Sequence, residues 1–387
     1  MHFIVLSHLR WNFVYQRPQH LLSRCARENQ VWFWEEPVFV DGIEARLAMR
    51  RVDPNLTVIV PELPAGIDEE AISYRQQLLM EELLNDIGTE SYVLWYYTPM
   101  ARNFTRQLSP AAVVYDCMDE LSAFRGAPLG LRVAEQELFE AADVVFTGGR
   151  SLFESKRARH HSVYCFTSSI DVRHFGQARK IKEEAVDQRA IPHPRVGYCG
   201  VIDERMDLEL LAAVAESHPE WHLVMIGPVV KISESDLPRR ANIHYLGGKN
   251  YAELPLYMAG WDAAMLPFAR NESTRFISPT KTPEYLAAGL PVVSTSITDV
   301  VRPYGRDKLV QIADTPEEFS AALARCLQKR SLEEEQLRLQ KVDAFLSRSS
   351  WDQTWSDMEA IVRNVVERKA ADAGGDADRL ELSTTAD

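Results

Sequence analysis

The chain has few cysteines and no long apolar run. Its five cysteines are scattered, odd in number and without CxxC spacing, so they indicate neither a disulfide framework nor a zinc site. No stretch reaches the apolar length that spans a bilayer. The N-terminus, MHFIVLSHLRW, lacks the basic lead and long apolar region of a signal peptide and is typical of a short strand. We therefore expect a cytoplasmic protein with reduced thiols.

Acidic residues outnumber basic ones, and several motifs are missing. The net charge of −13 argues against a nucleic-acid binder, which normally presents a basic face. No glycine fingerprint follows the first apolar run, so a dinucleotide cofactor is not expected. The sequence shows no nucleophile elbow and no Asp-x-Asp element placed to hold a metal. We expect neither a metal site nor a cofactor.

Short apolar runs alternate with amphipathic segments in both halves of the chain. In the first half, strands are predicted at 3–6, 31–34, 56–60, 92–96, 113–115 and 144–147. In the second half they are predicted at 195–200, 222–226, 243–246, 263–266, 292–294 and 309–312. Parallel strands joined by crossover helices produce this alternation. The sequence therefore predicts an α/β protein with two doubly wound domains.

Composition sets the expected domain limits. The segment 177–194 is polar and charge-rich without apolar periodicity, so we assign it as a linker between domains 1–176 and 195–348. Thr315, Pro316 and Glu318 form a capping box that predicts a helix to about residue 328. A final helix is expected within 349–370. The small and acidic residues 371–387 are typical of a disordered tail.

The segment 275–296, RFISPTKTPEYLAAGLPVVSTS, combines a polar turn, a short helix and a buried strand. Ser278 before Pro279, and Thr282 before Pro283, each match a helix N-cap followed by proline in the first helical position. Gly289 is placed to end the helix. The segment predicts a helix that starts beside a polar turn.

This turn is suited to an anion. Free backbone N–H groups and the positive end of a helix dipole face residues 278–281, and Lys281 adds a full cation, so phosphate is the expected guest. Glu284 lies at a distance suited to a carboxylate that accepts hydrogen bonds from a ribose diol. The alternative is simple capping of a surface helix, with Glu284 complementing the dipole.

The segment resembles the nucleotide-sugar motif of family 4 glycosyltransferases, which are retaining enzymes of the GT-B fold. Glu284, with the residues at 285–289 and 291–293, matches the second glutamate of that family's paired-glutamate motif and the residues after it. The first glutamate, which usually contacts the donor sugar, falls at Phe276, so the donor identity does not carry over. The Ser-Pro-Thr-Lys turn at 278–281 is similar to a bacterial branch of cell-surface polysaccharide enzymes.

The resemblance implies a GT-B fold, in which two Rossmann-like domains face a central cleft and the last helix crosses back to the first domain. The second domain would bind a nucleotide-diphosphate sugar. Val201 and Met206 occupy the places of the family's phosphate-binding arginine and lysine, so Arg205, Arg275 or Lys281 would replace them. The implied donor-binding residues are Gly200, Arg205, Gly227, Pro228, Arg275, Ser278, Pro279, Thr280, Lys281, Thr282 and Glu284.

Two loops of the first domain are candidates for acceptor binding. The loop 7–19 follows the first strand and carries Arg10, Trp11 and Arg17, which suit a sugar face and phosphate oxygens. The alternative is core packing by Trp11 with the arginines in solvent. Asp116 and Asp119 follow another strand and could hold sugar hydroxyls or cap the next helix.

These features predict an enzyme that transfers a sugar from a nucleotide-diphosphate sugar to a carbohydrate or lipid-linked acceptor in glycan synthesis, with retention implied by the resemblance. Asp119, Lys281 and Arg205 are the candidate catalytic residues. A GT-B nucleotide-sugar epimerase and a catalytically silent partner protein are the alternatives. The basic cluster at 156–161 indicates either peripheral contact with the inner membrane surface or a solvated helix end.

Overall fold

A computed structural model describes residues 1–89 and 91–384, with side chains described through Ala373. Within these residues, the first half of the chain forms a nine-stranded sheet of order β3-β5-β2-β1-β6-β7-β8-β9, with β4 pairing antiparallel to β5. Its strands are β1 His2–Leu6, β2 Gln30–Trp34, β3 Val38–Val40, β4 Arg46–Asp53, β5 Leu56–Pro64, β6 Tyr92–Tyr96, β7 Ala112–Cys117, β8 Val144–Thr147 and β9 Val163–Cys165. The helices of this half are α1 Arg17–Cys25, α2 Glu69–Ile87, α3 Arg102–Thr105, α4 Leu131–Ala141, α5 Arg150–Lys156 and α6 Val172–Phe175.

The second half forms a parallel sheet of six strands, counted over the described residues, in the order β12-β11-β10-β13-β14-β15. These strands are β10 Arg195–Cys199, β11 His222–Ile226, β12 Ile243–Tyr245, β13 Ala263–Leu266, β14 Val292–Ser294 and β15 Val310–Ile312. The remaining helices are α7 Leu208–Ser217, α8 Leu254–Ala259, α9 Lys281–Ala287, α10 Thr298–Val300, α11 Pro316–Leu327, α12 Leu332–Leu346 and α13 Trp351–Thr384. The predicted α/β architecture of two doubly wound domains is confirmed.

Three strands of the first sheet were not predicted: β3, β4 and β9. Strands β3 and β9 have only three residues each, and β4, with the sequence RLAMRRVD, has no regular apolar alternation. Strand β4 lies at the sheet edge and is largely exposed, so no buried face imposes an apolar pattern on its sequence. Its pairing with β5 is a backbone ladder that composition does not reveal.

The segment between the two sheets packs on the second domain. Ala185 and Ile191 are buried in the same apolar core as Trp261. The fully buried amide of Gln188 accepts a hydrogen bond from Trp261 Nε1 at 2.8 Å and donates one to the carbonyl of Tyr257 at 3.0 Å. The polar segment 177–194, predicted as a linker, therefore covers one side of the second domain.

Helix α13 packs against the first sheet. Trp355 lies 6.0 Å from Phe3 and 6.0 Å from Trp95 between ring centroids, and Met358 and Val362 are fully buried in the same core. The helix continues to Thr384, past the predicted end of the helical segment at residue 370. The described backbone of 371–384 is thus helical, whereas the sequence predicted a disordered tail over 371–387. Residues 385–387 lie outside the described residues.

Across the described residues, no helix combines the length and the apolar character needed to cross a membrane.

Candidate functional site

A cleft of about 580 Å³ separates the two domains and receives loops from both. Loops at the carboxyl ends of β1 and β7 approach it from the first domain, and those of β10, β11 and β12 from the second. Ligands bind at this edge of open parallel sheets. The predicted site residues that line the cleft are Trp11, Arg17, Asp119, Gly200, Arg205, Gly227, Pro228, Ser278, Pro279, Thr280 and Lys281. Those that do not line it are Arg10, Asp116, Arg275, Thr282 and Glu284.

The turn at 278–281 forms part of the cleft wall, but the helix after it starts differently from the prediction. Helix α9 begins at Lys281, and its N-cap, Thr280, has helical backbone angles and no side-chain cap. Thr282 and Pro283 therefore lie inside the first turn, and neither Ser278 nor Thr282 caps the helix. The Thr282 hydroxyl is buried without a hydrogen-bond partner among the described residues.

Lys281 and Glu284 form an ion pair that the sequence did not predict. Lys281 Nζ lies 2.8 Å from Glu284 Oε2, and both side chains are largely buried. Burial by itself lowers the pKa of Lys281. The attraction of the Glu284 carboxylate is larger than this effect, so the pKa of Lys281 is raised. Lys281 therefore stays protonated and lines the cleft, while Glu284 lies behind it.

The loop after β11 approaches the loop after β10 too closely for any side chain. Gly227 has a φ of +148°, and a Cβ atom added there would lie 1.8 Å from the carbonyl oxygen of Gly200. Both glycines line the cleft beside Pro228. A ligand can consequently contact bare backbone at this point.

Arg205 lies on the second-domain side of the cleft and is paired with Asp203. Its Nε and Nη2 atoms donate to the Asp203 carboxylate at 2.6–3.0 Å. Burial opposes the charged form, but Asp203 dominates and raises the pKa of Arg205. A positive charge is therefore fixed at the cleft wall.

Asp119 lies opposite, on the first-domain side. Burial raises the pKa of the Asp119 carboxyl to about 6, while the cations Arg205 and Lys231 act to lower it. A carboxyl with such a pKa changes protonation state near neutral pH, as a general base requires.

Arg17 and Asp116, which the sequence predicted to bind the acceptor, pair with each other inside the first domain. Asp116 is fully buried, and Arg17 Nε lies 3.1 and 3.0 Å from its two carboxylate oxygens. Arg17 Nη1 also donates to the carbonyl of Phe166 at 2.7 Å. Arg17 borders the cleft, but its donors are used inside the domain, because two opposite charges without access to water must satisfy each other.

Arg10 is directed away from the cleft, whereas Trp11 faces it. Arg10 Nη1 donates to Glu35 at 3.0 Å and its Nη2 donates to the carbonyl of Pro37. The Glu35 carboxylate also accepts the Trp11 backbone N–H at 2.7 Å. The Trp11 ring packs edge-on against Phe33, so both the packing alternative and a cleft-lining role apply to it.

Arg275 does not line the cleft either. Its side chain is 63% exposed, pairs with Glu272 at 3.6 Å and stacks on the ring of Phe276. Phe276 packs against the apolar core of the first domain. The position to which the resemblance assigns a sugar-contacting glutamate is thus a contact between the domains.

The basic cluster at 156–161 is not a free cationic face. Lys156 is buried and pairs with Glu120 at 2.7 Å and Glu135 at 2.8 Å. Arg159 pairs with Glu135 at 2.6 Å. Acidic residues of the loop after β7 and of α4 thus pair with Lys156 and Arg159, whereas Arg157 of this cluster is exposed.

Sequence reasoning missed an aromatic contact across the cleft. Tyr15 of the first domain stacks on Tyr251 of the second, with centroids 4.5 Å apart, and Tyr251 stacks on His174 at 4.2 Å. Tyr15 and Tyr251 line the cleft, as do Lys249 and Asn250. The Gly-Gly-Lys-Asn sequence at 247–250, one residue after β12, was the available signal.

Over the residues whose side chains are described, no group of three or more His, Cys, Asp or Glu side chains is arranged to hold a metal ion.

Comparisons with known proteins agree with this geometry. The family described as "Glycosyl transferases group 1" matches residues 193–329, which cover β10 to α11. A curated relative, the putative teichuronic acid biosynthesis glycosyltransferase TuaH of Bacillus subtilis, is 24% identical over 280 residues, or 66% of this chain and 69% of that protein.

Solved structures show the same fold over nearly the whole chain. Sucrose-phosphate synthase from Thermosynechococcus elongatus has a TM-score of 0.70 at 14% identity and covers 95% of this chain and 100% of its own. WaaG, a glycosyltransferase involved in lipopolysaccharide biosynthesis, has a TM-score of 0.63 at 13% identity, with coverages of 93% and 99%.

Proposed function

Since this chain is a glycosyltransferase with the GT-B fold, we propose that its second domain binds the nucleotide-diphosphate sugar and its first domain binds a carbohydrate or lipid-linked acceptor. One observation carries this assignment. The cleft has the Lys281 turn and the close approach of Gly200 and Gly227 on one wall, and Asp119 on the other. A donor and an acceptor would therefore meet between the domains.

Donor binding would exchange the partners of the Lys281–Glu284 ion pair. Lys281 lines the cleft and covers Glu284, so a diphosphate that attracts Lys281 would expose the carboxylate behind it. Glu284 would then accept hydrogen bonds from the ribose hydroxyls. The exchange keeps both buried charges partnered, which a low-dielectric site requires.

Lys281 and Arg205 would stabilise the negative charge that grows on the leaving diphosphate. Asp119 would accept the proton of the attacking acceptor hydroxyl. We propose that these cations make a metal ion unnecessary, so that EDTA leaves the transfer rate unchanged. Loss of transfer in EDTA that added Mg²⁺ restores would contradict this part of the proposal.

Retention of the anomeric configuration is proposed from the resemblance of 275–296 to family 4 enzymes. NMR of the first-formed product would show the same anomeric configuration as the donor. A product of opposite configuration would contradict the proposal. The same experiment, run with donor alone, separates transfer from epimerisation, because an epimerase converts the donor without an acceptor.

The donor assignment is tested by thermal shift with UDP, GDP, ADP and dTDP. At least one nucleoside diphosphate is expected to raise the melting temperature of the wild type, because a ligand that binds the folded state stabilises it by mass action. Glu284→Ala and Glu284→Gln should lose most of that shift. Glu335→Ala removes an equivalent i,i+3 ion pair with Arg338 on α12 and should keep it. An unchanged shift in both Glu284 variants would contradict the ribose role.

We further propose contact with an anionic lipid surface through strands β3 and β4. The exposed side chains of these two strands include apolar and basic groups: Phe39, Val40, Met49, Val52, Arg50 and Arg51. Arginines attract anionic headgroups, and apolar side chains enter the interface. The wild type should sediment with vesicles of phosphatidylglycerol and phosphatidylcholine, and Met49→Ser with Arg50→Glu should weaken this binding. Arg157→Glu on the end of α5 is the control, and equal binding to purely neutral vesicles would contradict the proposal.

A further inference from the structure

Two cations of the second domain face one aromatic ring of the first. The guanidinium carbon of Arg205 lies 5.6 Å from the centroid of the Phe124 ring, and Lys231 Nζ lies 4.8 Å from it. Phe124 belongs to the loop after β7, whereas Arg205 follows β10 and Lys231 follows β11. Both distances are within the range of favourable cation–π attraction. The ring thus joins the two domains at the cleft that Arg205 lines.

Neither cation is saturated by its acidic neighbour. Arg205 uses Nε and Nη2 on Asp203, and its Nη1 takes part in none of these bonds. Lys231 Nζ lies 3.8 Å from Glu204, beyond hydrogen-bond distance, and its side chain is 42% exposed. An aromatic face attracts a cation without occupying its N–H donors. Both groups can therefore hold their positions on Phe124 and still donate to an anion.

The segment that carries Phe124 is anchored to the first domain. Glu120 Oε2 lies 2.7 Å from the buried Lys156, and the Ser122 hydroxyl donates to Glu120 Oε1 at 2.9 Å. Gly126, two residues after Phe124, turns the chain with a φ of +78°. On the other side, Lys231 has a left-handed backbone with a φ of +63°, a conformation that costs free energy in a residue with a side chain and is retained where its surroundings hold it.

We propose that Phe124 is a positioning residue for donor binding: it holds Arg205 and Lys231 towards the terminal phosphate of the nucleoside diphosphate. The acceptor domain thereby contributes to donor affinity without touching the nucleotide. This inference rests on the proposed function, because it requires that the donor diphosphate lie in the cleft beside Arg205.

The test is calorimetric binding of UDP, GDP, ADP and dTDP, and of the matching monophosphates, to wild type, Phe124→Leu and Phe124→Tyr. Leucine keeps an apolar side chain but has no π face, so it should weaken diphosphate binding by about 3- to 10-fold. Tyrosine keeps the ring face and should bind within about 2-fold of wild type. Monophosphate binding should be the same in all three proteins, since the terminal phosphate is missing.

The outcomes separate this inference from the function it rests on. If Phe124→Leu binds the diphosphate as well as wild type, or loses mono- and diphosphate affinity equally, Phe124 has no positioning role. If Phe124→Tyr is as weak as Phe124→Leu, the effect is one of packing and the inference also fails. If the wild type binds none of the nucleotides, the donor assignment itself is overturned and this inference with it. Tyr74→Leu, at an exposed ring on α2 away from the cleft, is the matched control and should change nothing.

Discussion

The Asp119 carboxyl lies near Arg205 and Lys231, and yet burial raises its pKa to about 6. Desolvation of the carboxylate thus outweighs the attraction of two nearby cations. By contrast, the carboxylate of Asp116, three residues earlier in the chain, is buried and accepts hydrogen bonds from Arg17 on both oxygens. Two aspartates three residues apart therefore differ in their partners: Asp116 forms a buried ion pair, and Asp119 lies at the cleft.

The raised pKa of Asp119 predicts the pH dependence of transfer. Only the ionised carboxyl can accept a proton, so kcat/KM should fall as the pH drops below about 6. Asp119→Asn should lower kcat by about 10²- to 10⁴-fold and abolish that dependence. Asp343→Asn, an acid paired with Arg179 outside the cleft, should keep the wild-type profile. A wild-type rate that stays constant down to pH 5 would contradict the assignment.

The same shift has a consequence for stability. The folded protein binds the Asp119 proton more tightly than the unfolded chain does, so this group favours unfolding above pH 6 and loses that effect as the pH falls towards 4. Asp119→Asn should consequently melt at a higher temperature than wild type at pH 7.5. At pH 4 the two should melt together. A variant less stable than wild type at pH 7.5 would contradict the burial of this charge.

At the scale of single elements, close backbone packing decides the shape of the cleft wall formed by the loops after β10 and β11. Strands β10 and β11 were placed from their apolar runs to within one residue of their ends, and Gly200 and Gly227 were selected as site residues. The sequence did not show that the two glycines contact each other, since their approach depends on how the adjacent parallel strands end. The start of α9 was misplaced for a similar reason. Ser-Pro and Thr-Pro pairs are cap signals, but the tertiary position of the 278–281 turn determines which residue begins the helix.

Gly227→Ala should disrupt this wall. A Cβ atom would collide with the Gly200 carbonyl, so the loop after β11 must move, and nucleoside diphosphate binding should fall by at least about 10-fold with a stability loss of about 2 kcal/mol or more. Gly88→Ala is the matched control, because Gly88 also has a positive φ, of +58°, but has open space around it. It should cost only about 1 kcal/mol in urea unfolding and leave binding unchanged. Equal losses in the two variants would show that backbone strain, not the collision, is responsible.

At the scale of the whole molecule, the C-terminal helix packs against the N-terminal domain. Helix α13 follows the second domain in sequence but completes the apolar core of the first, where Trp355 meets Phe3 and Trp95. The last helix therefore packs as part of the first domain, although it follows the second domain in sequence. Phe276 adds a further contact, from the segment 275–296 to the core of the first domain.

Trp355→Ala tests the packing of α13 against the first domain. Loss of a buried aromatic side chain should lower the free energy of unfolding of the first domain by about 3–5 kcal/mol, measured as the shift of its transition in denaturant. Trp355→Phe should lose less than Trp355→Ala, because most of the ring volume remains. Leu337→Ala, at an exposed position of α12, is the control and should lose less than about 0.5 kcal/mol. A Trp355→Ala loss as small as that of the control would contradict the docking of α13.

The sequence by itself determined the two doubly wound domains, most of their strands and the 278–281 turn, because apolar periodicity and proline or glycine positions act over a few residues. It also indicated which residue types could serve a nucleotide sugar. Only the tertiary structure decided which of them face the cleft. Arg10 and Arg275 have the right chemistry but do not line the cleft, and Arg17, which borders it, uses its donors on Asp116 inside the first domain. A charged side chain is oriented by the partner that satisfies it, and that partner can lie a hundred residues away in the chain.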